Sequence, residues 1–120
     1  METQINTLIE TIKADYLKFS SRGKEKCDLP DHRVRMIENF NNGIEVKEGR
    51  SYIKIMTNNS VWGFVVKSDD DKKFLKGDIL KAASFASPAR NAARGNVFAD
   101  QYSVQWTGPH YLTPQFEVIG

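Results

Sequence analysis

Residues 74–96 read FLKGDILKAASFASPARNAARGN and contain the transition around which the rest of the chain is arranged. Residues 77–80 join a turn glycine to apolar side chains that favour a strand. From Ser84 onward the side chains are small, two of them are arginines, and no apolar period remains. Long irregular loops are uncommon in small domains and are often functional. The loop at 84–98 is therefore the first candidate for a site.

Strand patterns precede this stretch. Residues 61–67, VWGFVVK, are almost continuously apolar, which predicts a central strand covered on both faces. Gly63 within it predicts a bulge or a close backbone approach. The strand before it places Ile53 and Ile55 on one face, and the Asn-Asn pair at 58–59 predicts a two-residue hairpin. Further strands are predicted at 44–47, 77–83, 102–106 and 116–119, with a turn at 107–109.

Two helices are predicted before the strands. Between 3 and 20, apolar residues recur at the helical period, namely Ile5, Leu8, Ile9, Ile12, Tyr16 and Phe19. Asp28 or Asp31 is the predicted cap of a second helix, with Pro30 in its first turn and Asn42-Gly43 at its end. Neither apolar stripe is wide enough to be buried all round, so both helices need the later strands as a partner.

The predicted fold is α+β in a single domain, with a helical part at 1–43 and a β-rich part at 44–120. The sheet is predicted to be a curved antiparallel sheet or an SH3-like partial barrel, an architecture that serves many unrelated functions. A chain of 120 residues is long enough to bury a core without disulfides. The single cysteine, Cys27, favours a reducing cytoplasm. No apolar run approaches the ~20 residues of a membrane span, and the N-terminus lacks the pattern of a signal peptide.

Positive charge is concentrated in one part of the chain. The whole sequence carries a formal charge of only +2. Residues 72–96, however, contain six basic side chains and one acidic one, Asp78, and follow directly on Asp69-Asp70-Asp71. A local positive region suits contact with one polyanion or acidic surface.

Known catalytic patterns are absent from the sequence. It has no phosphate-binding glycine motif and no G-x-S-x-G nucleophile elbow. Its one cysteine and two histidines, His32 and His110, are too scattered for a zinc site, and the three aspartates lack the spacing of a calcium loop. We therefore expect a non-enzymatic protein without a metal or cofactor.

The loop itself suggests nucleic-acid binding. If Pro88 begins a helical turn, the guanidinium groups of Arg90 and Arg94 lie on one side and can form bidentate contacts with phosphates. Small neighbouring residues would let backbone amides approach the same ligand, and Phe85 could stack on a base, as could Phe98. The predicted nucleic-acid-binding residues are Lys81, Phe85, Arg90, Asn91, Arg94 and Asn96.

Three alternatives remain open at this point. Arg90 and Arg94 could pair internally with Asp78 or Asp100 while the loop packs over the mouth of the barrel and Phe85 plugs the core. The partner could instead be a protein, contacted by the amphipathic N-terminal helix or by an exposed strand edge. A small enzyme with His110, Asp78 and Arg90 gathered in one pocket is the third.

Four sequence segments resemble those of a known family: SVWGFVV at 60–66, KGDILKAA at 76–83, PARNAARGN at 88–96 and WTGPHYL at 106–112. They resemble small uncharacterised proteins of tailed, myovirus-type bacteriophages, over about 39–112. The resemblance implies expression in the cytoplasm of a bacterial host cell during infection, where DNA, RNA, host proteins and virion proteins are the available partners. It assigns no role to any residue.

Overall fold

The computed structural model describes residues 1–21, 30–58, 60–100, 102 and 104–109. Within them, two helices precede a four-stranded antiparallel sheet and a two-stranded one. In chain order these are α1 (Glu2–Ser21), α2 (Asp31–Asn42), β1 (Ile44–Glu48), β2 (Tyr52–Thr57), β3 (Ser60–Val66), β4 (Ile79–Leu80), β5 (Val104–Gln105) and β6 (Gly108–Pro109). The architecture is the predicted α+β class, with no closed barrel in the described part of the chain. The strand predicted at 116–119, Asp28, Cys27 and His110 lie outside the described residues.

The central strand is β3, because it is hydrogen-bonded to β2 on one side and to β4 on the other. Its residues from Trp62 onward are buried, which explains the nearly continuous apolar run. The β2–β3 register shifts between Ile55 and Met56, so the predicted irregularity lies beside Gly63. A Cβ on Gly63 would lie 2.9 Å from the Leu80 carbonyl oxygen. Glycine therefore allows the close approach of β3 and β4.

The hairpin between β2 and β3 was predicted correctly. Thr57 pairs with Ser60, which leaves a two-residue connection, and Asn58 has a φ of 47°. Asparagine tolerates this left-handed conformation better than most residues because its short side chain can hydrogen-bond locally.

One face of the sheet packs against the helices. The core there includes Leu8 and Ile12 of α1 and Ile37 and Phe40 of α2, in contact with the sheet residues Ile53, Ile55, Trp62, Val65 and Ile79. The ring of Tyr16 stacks on Phe40 at 4.0 Å between centroids and meets Trp106 edge-on at 4.9 Å. The amphipathic stripe of α1 is thus confirmed, except that Phe19 at its end is 61% exposed.

The opposite face of the sheet, which we call the outer face, is covered by chain from the long loop. Phe64, Val66, Phe74 and Leu80 form a second buried cluster there. The half-buried side chains of Tyr52, Val61, Ala82 and Ala93 pack against it. The loop therefore completes a second, smaller core.

Three local predictions were wrong in detail. Pro30 precedes α2 as its N-cap, with no side-chain cap bond, and its carbonyl accepts the Arg33 and Val34 amides instead. The predicted turn at 107–109 is displaced, because Gly108 and Pro109 pair with β5 and the chain reverses at Trp106 and Thr107. The predicted strand at 77–83 reduces to β4 and two isolated bridges. Neither described helix is long and apolar enough to cross a membrane.

Candidate nucleic-acid interface

The long loop runs extended along the free side of β4. The Ala89 amide donates to the Lys81 carbonyl at 2.7 Å, and the Arg94 amide donates to the Ile79 carbonyl at 2.7 Å. The Ile79 amide donates in return to the Gly95 carbonyl. No helical turn begins at Pro88, because the Arg94 amide, which such a turn would bond to the Arg90 carbonyl, is bonded to the strand edge instead. The predicted arrangement of Arg90 and Arg94 on one helical face is therefore wrong.

A tight turn carries Phe85 outward. The amides of Ala83 and Ser84 donate to the Ser87 carbonyl, and the Ser84 hydroxyl accepts from the Ala86 and Ser87 amides. These bonds use the amides that could have approached a phosphate. They leave Phe85 59% exposed, so it does not plug the core.

Lys54 contacts the exposed ring. Its ammonium lies 4.1 Å from the centroid of Phe85 and 5.9 Å from that of the buried Phe64. Lys54 lies on the outer face because β2 alternates, with Ile53 and Ile55 facing the helices. A cation is thereby fixed beside an accessible aromatic ring.

Arg90 forms an internal ion pair. Its guanidinium donates to both carboxylate oxygens of Asp71, at 2.9 and 3.0 Å, and also to the Tyr52 hydroxyl. Its Cζ lies 4.9 Å from the Phe74 ring centroid. The alternative of internal pairing is correct for Arg90, but its partner is Asp71 and not Asp78 or Asp100. The guanidinium is held against the protein and its charge is balanced.

The pKa values of the pair reflect this contact. Hydrogen bonds from Arg90, and then from the Lys73 and Phe74 amides, hold the pKa of Asp71 well below its usual range. The hydrogen bond with Asp71 raises the pKa of Arg90 further. Asp71 therefore ties the turn before β4 to the loop after it.

We expect Asp71→Asn to lower the melting temperature at pH 7, with a difference from the wild type that begins to shrink below about pH 4 and keeps shrinking as the pH falls toward the folded pKa of Asp71. The folded pKa lies below the unfolded value of about 3.9, so the stabilisation is present above that pH and is lost as the pH falls. Thermal melts followed by circular dichroism at several pH values measure this. Asp100→Asn, an exposed aspartate in no ion pair of the described residues, is the control. A difference that is unchanged at pH 3 would contradict the assignment.

A shallow cleft of about 240 Å³ opens beside Lys54 on the outer face. Its lining includes Arg50, Tyr52, Phe64 and Ala86. Glu48 also borders it, but this carboxylate lies 3.5 Å from the Lys67 ammonium.

Lys73 extends the positive surface beyond the cleft. Its ammonium donates to the Arg90 carbonyl and lies 5.5 Å from the Phe74 ring centroid. Among the described residues, neither Arg50, Lys54 nor Lys73 has a carboxylate within ion-pair distance. We call the area formed by Arg50, Tyr52, Lys54, Lys73 and Phe85 the basic surface.

The other predicted binding residues lie elsewhere or have structural roles. Lys81 borders a different cleft, with Trp62 and Gln105. The Asn91 side chain accepts from the Ala92 amide and the Arg94 guanidinium. The Arg94 guanidinium also donates to the Ala92 carbonyl.

Asn96 stabilises the turn that leads into β4. Its amide group donates to the Lys76 carbonyl and the Asp78 carboxylate, and its oxygen accepts from the Phe98 amide. Of the six predicted residues, Phe85 alone belongs to the basic surface.

Sequence reasoning missed Arg50, Tyr52 and Lys54. The period-two pattern of β2 carried the signal, because it placed Lys54 and Tyr52 opposite Ile53 and Ile55. The missing information was the position of the Phe85 turn over that face. In the described part of the chain, no three histidine, cysteine, aspartate or glutamate side chains are grouped closely enough to hold a metal ion.

The fold and this surface define a small α+β protein whose sheet has one helix-covered face and one cationic, aromatic face. The chain belongs to DUF7717, a family of unknown function whose model matches residues 1–112. The match covers both helices, the sheet and the whole basic surface. No curated protein and no solved structure is detectably similar to the chain.

Proposed function

We propose that this protein is a non-enzymatic nucleic-acid-binding module that holds single strands on its basic surface. Arg50, Lys54 and Lys73 contact phosphates, and Phe85 stacks on a base. The observation that carries the proposal is the Lys54–Phe85 pair, a cation 4.1 Å from an exposed ring beside a cleft. Proteins that bind single strands combine cationic grooves with exposed aromatic rings in this way.

Charge favours a polyanion as the partner. The three cations of the basic surface have no acidic partner among the described residues, while the nearby carboxylates of Asp71 and Glu48 are paired with other bases. A nucleic acid that neutralises these cations releases its own counterions, which drives binding at low salt.

The side chains of the basic surface favour binding with little preference for nucleotide sequence. Arg90 and Asn96, two of the side chains best suited to reading base edges, are engaged within the protein. Stacking on Phe85 accepts any base. We therefore propose backbone contact without strong sequence readout.

The sequence segments that resemble phage proteins also suggest the cellular setting in which the protein acts. We propose that the protein acts in the cytoplasm of an infected bacterial cell as a phage accessory protein. Single-stranded DNA and RNA are both present there, and a pair of oligonucleotides differing only in the sugar distinguishes them.

Phe85→Ala is expected to weaken binding of a fluorescent oligothymidylate about tenfold, because the loss of one stacking contact costs about 1–3 kcal/mol. Fluorescence anisotropy at low salt measures the affinity. Leu75→Ala is the matched control, since Leu75 is 74% exposed and lies outside the basic surface. If both variants bind like the wild type, Phe85 does not stack on a base.

A second candidate is a protein-binding module that contacts a host or virion protein. Leu17 and Phe19 of α1 and Met36 of α2 are large apolar side chains that are exposed on the helical layer. Such residues are typical of protein interfaces when they are contiguous. A pull-down from bacterial lysate separates the candidates: a partner retained after nuclease treatment and lost with Phe19→Ser favours this one.

A further inference from the structure

The outer edge of β1 is open in the described structure. β1 has β2 as its only strand neighbour among the described residues. Val46 in its centre is 44% exposed although its side chain faces the helix side of the sheet, opposite Ile55. Beside it lies a groove of about 360 Å³ lined by Met1, Ile5 and Ile53 among others. An exposed edge of this kind is a template for another strand.

The hydrogen bonds to β2 identify which backbone groups of β1 point outward. The Gly43 carbonyl accepts from Asn58, and the Gly49 amide donates to Tyr52. Because alternate residues of an antiparallel strand bond to the same neighbour, Glu45 and Lys47 also direct their backbone groups toward β2. The outward amides and carbonyls are those of Ile44, Val46 and Glu48.

We propose that the occupant of this edge is a second copy of the chain, paired antiparallel through β1 with Val46 opposite Val46. In this register Ile44 meets Glu48 of the other copy, so outward groups face outward groups and about six backbone hydrogen bonds form. The two-fold axis passes through the sheet between the two valines. The two four-stranded sheets become one, with both helical layers on the same side.

Charge selects this register. Glu45 of each copy lies opposite Lys47 of the other, in the non-hydrogen-bonded positions where side chains are closest. The two neighbouring registers that keep outward groups paired are shifted by two residues. One of them places Glu45 opposite Glu45 of the other copy, and the other places Lys47 opposite Lys47. Like charges directly opposite are destabilising. The sequence of β1, IEVKE, is therefore complementary to itself in one arrangement only among the three.

Apolar contacts support the same register. The two Val46 side chains meet on the helix side of the sheet, where each also borders the groove beside Met1 and Ile5. Pairing buries Val46, which the chain alone leaves exposed. This interface adjoins the basic surface, because Lys47 and Glu48 of β1 also line its cleft, but its pairing does not depend on the proposed function.

Light scattering coupled to size-exclusion chromatography tests the proposal on the full chain, freed of nucleic acid. The wild type is expected at twice the chain mass of 13.6 kDa at high concentration. Lys47→Glu and Glu45→Lys should each reduce the mass to that of a monomer, because each places like charges opposite each other.

Two further samples make the test specific to the register. An equal mixture of the two single variants should form a heterodimer, since lysines on one copy then face glutamates on the other. The double variant, Glu45→Lys with Lys47→Glu, should again be a homodimer. A monomeric wild type at every concentration would overturn the proposal. So would single variants that remain dimeric, or well-folded single variants, as judged by circular dichroism, that do not associate when mixed.

Discussion

Replacing Trp62 by alanine is expected to lower the free energy of unfolding by about 3–5 kcal/mol, the range for a large aromatic residue removed from a core. Trp62 is 2% exposed and belongs to the helix-side core. Its indole N–H donates to the Gln105 carbonyl at 2.8 Å. The substitution therefore leaves a cavity beside β3 and also removes a link to the β5–β6 pair.

Urea denaturation followed by circular dichroism measures this loss. Trp62→Phe is the informative comparison, because it keeps an aromatic ring and loses the indole hydrogen bond, so its cost should be clearly smaller. Leu75→Ala controls for an exposed apolar side chain and should stay within about 0.5 kcal/mol of the wild type. A loss below about 1 kcal/mol for Trp62→Ala would mean that Trp62 is not part of the core.

Reversing two charges of the basic surface is expected to have the largest effect on binding. The double variant Arg50→Glu with Lys54→Glu should weaken binding of single-stranded DNA by about 10²–10³-fold at low salt. Two phosphate contacts are lost, and two carboxylates are placed against the strand. The slope of log affinity against log salt should also fall in magnitude by about 1.4, because each contact with a single strand contributes about 0.7.

The matched control changes the net charge equally on another face. Lys13→Glu with Lys18→Glu places the same reversal on α1, away from the outer face of the sheet. When both double variants are compared at about 0.1 M salt, the control should remain within a few-fold of the wild type, because exposed charges beyond a Debye length of about 10 Å are then largely screened. An equal loss in both variants would show that overall charge, and not the basic surface, determines binding.

Local sequence signals predicted the sheet well because strong local chemistry decides it. The continuous apolar run of β3 required burial on both faces, and Gly63 allowed the close approach of β4. Asn58 could adopt the left-handed conformation of the hairpin. Each of these features depends on a few adjacent residues, and each was predicted.

The loop could not be predicted because distant contacts determine its path. Small residues between 82 and 95 carry little conformational preference, and bonds to the edge of β4 keep the segment extended. Arg90 finds its carboxylate in Asp71, 19 residues earlier in the chain. Once that pair forms, the helical phosphate site based on Arg90 and Arg94 is not available.

The composition of the basic surface could be predicted only in part, because local and distant contacts both form it. The exposure of Phe85 depends on the Ser84 turn, which is a local feature, whereas its contact with Lys54 depends on how the loop lies across the sheet. A positive charge near the loop was expected, but the cations at the cleft come from β1, from the turn after it and from β2, namely Lys47, Arg50 and Lys54.

The most direct test of the central claim is the affinity of the wild-type protein for a fluorescent oligothymidylate, measured by anisotropy over a range of salt concentrations. Three phosphate contacts, from Arg50, Lys54 and Lys73, predict a linear fall of log affinity with log salt and a slope of about −2. No binding at the lowest salt concentration, or an affinity that does not change with salt, would contradict the assignment of the basic surface as a nucleic-acid site.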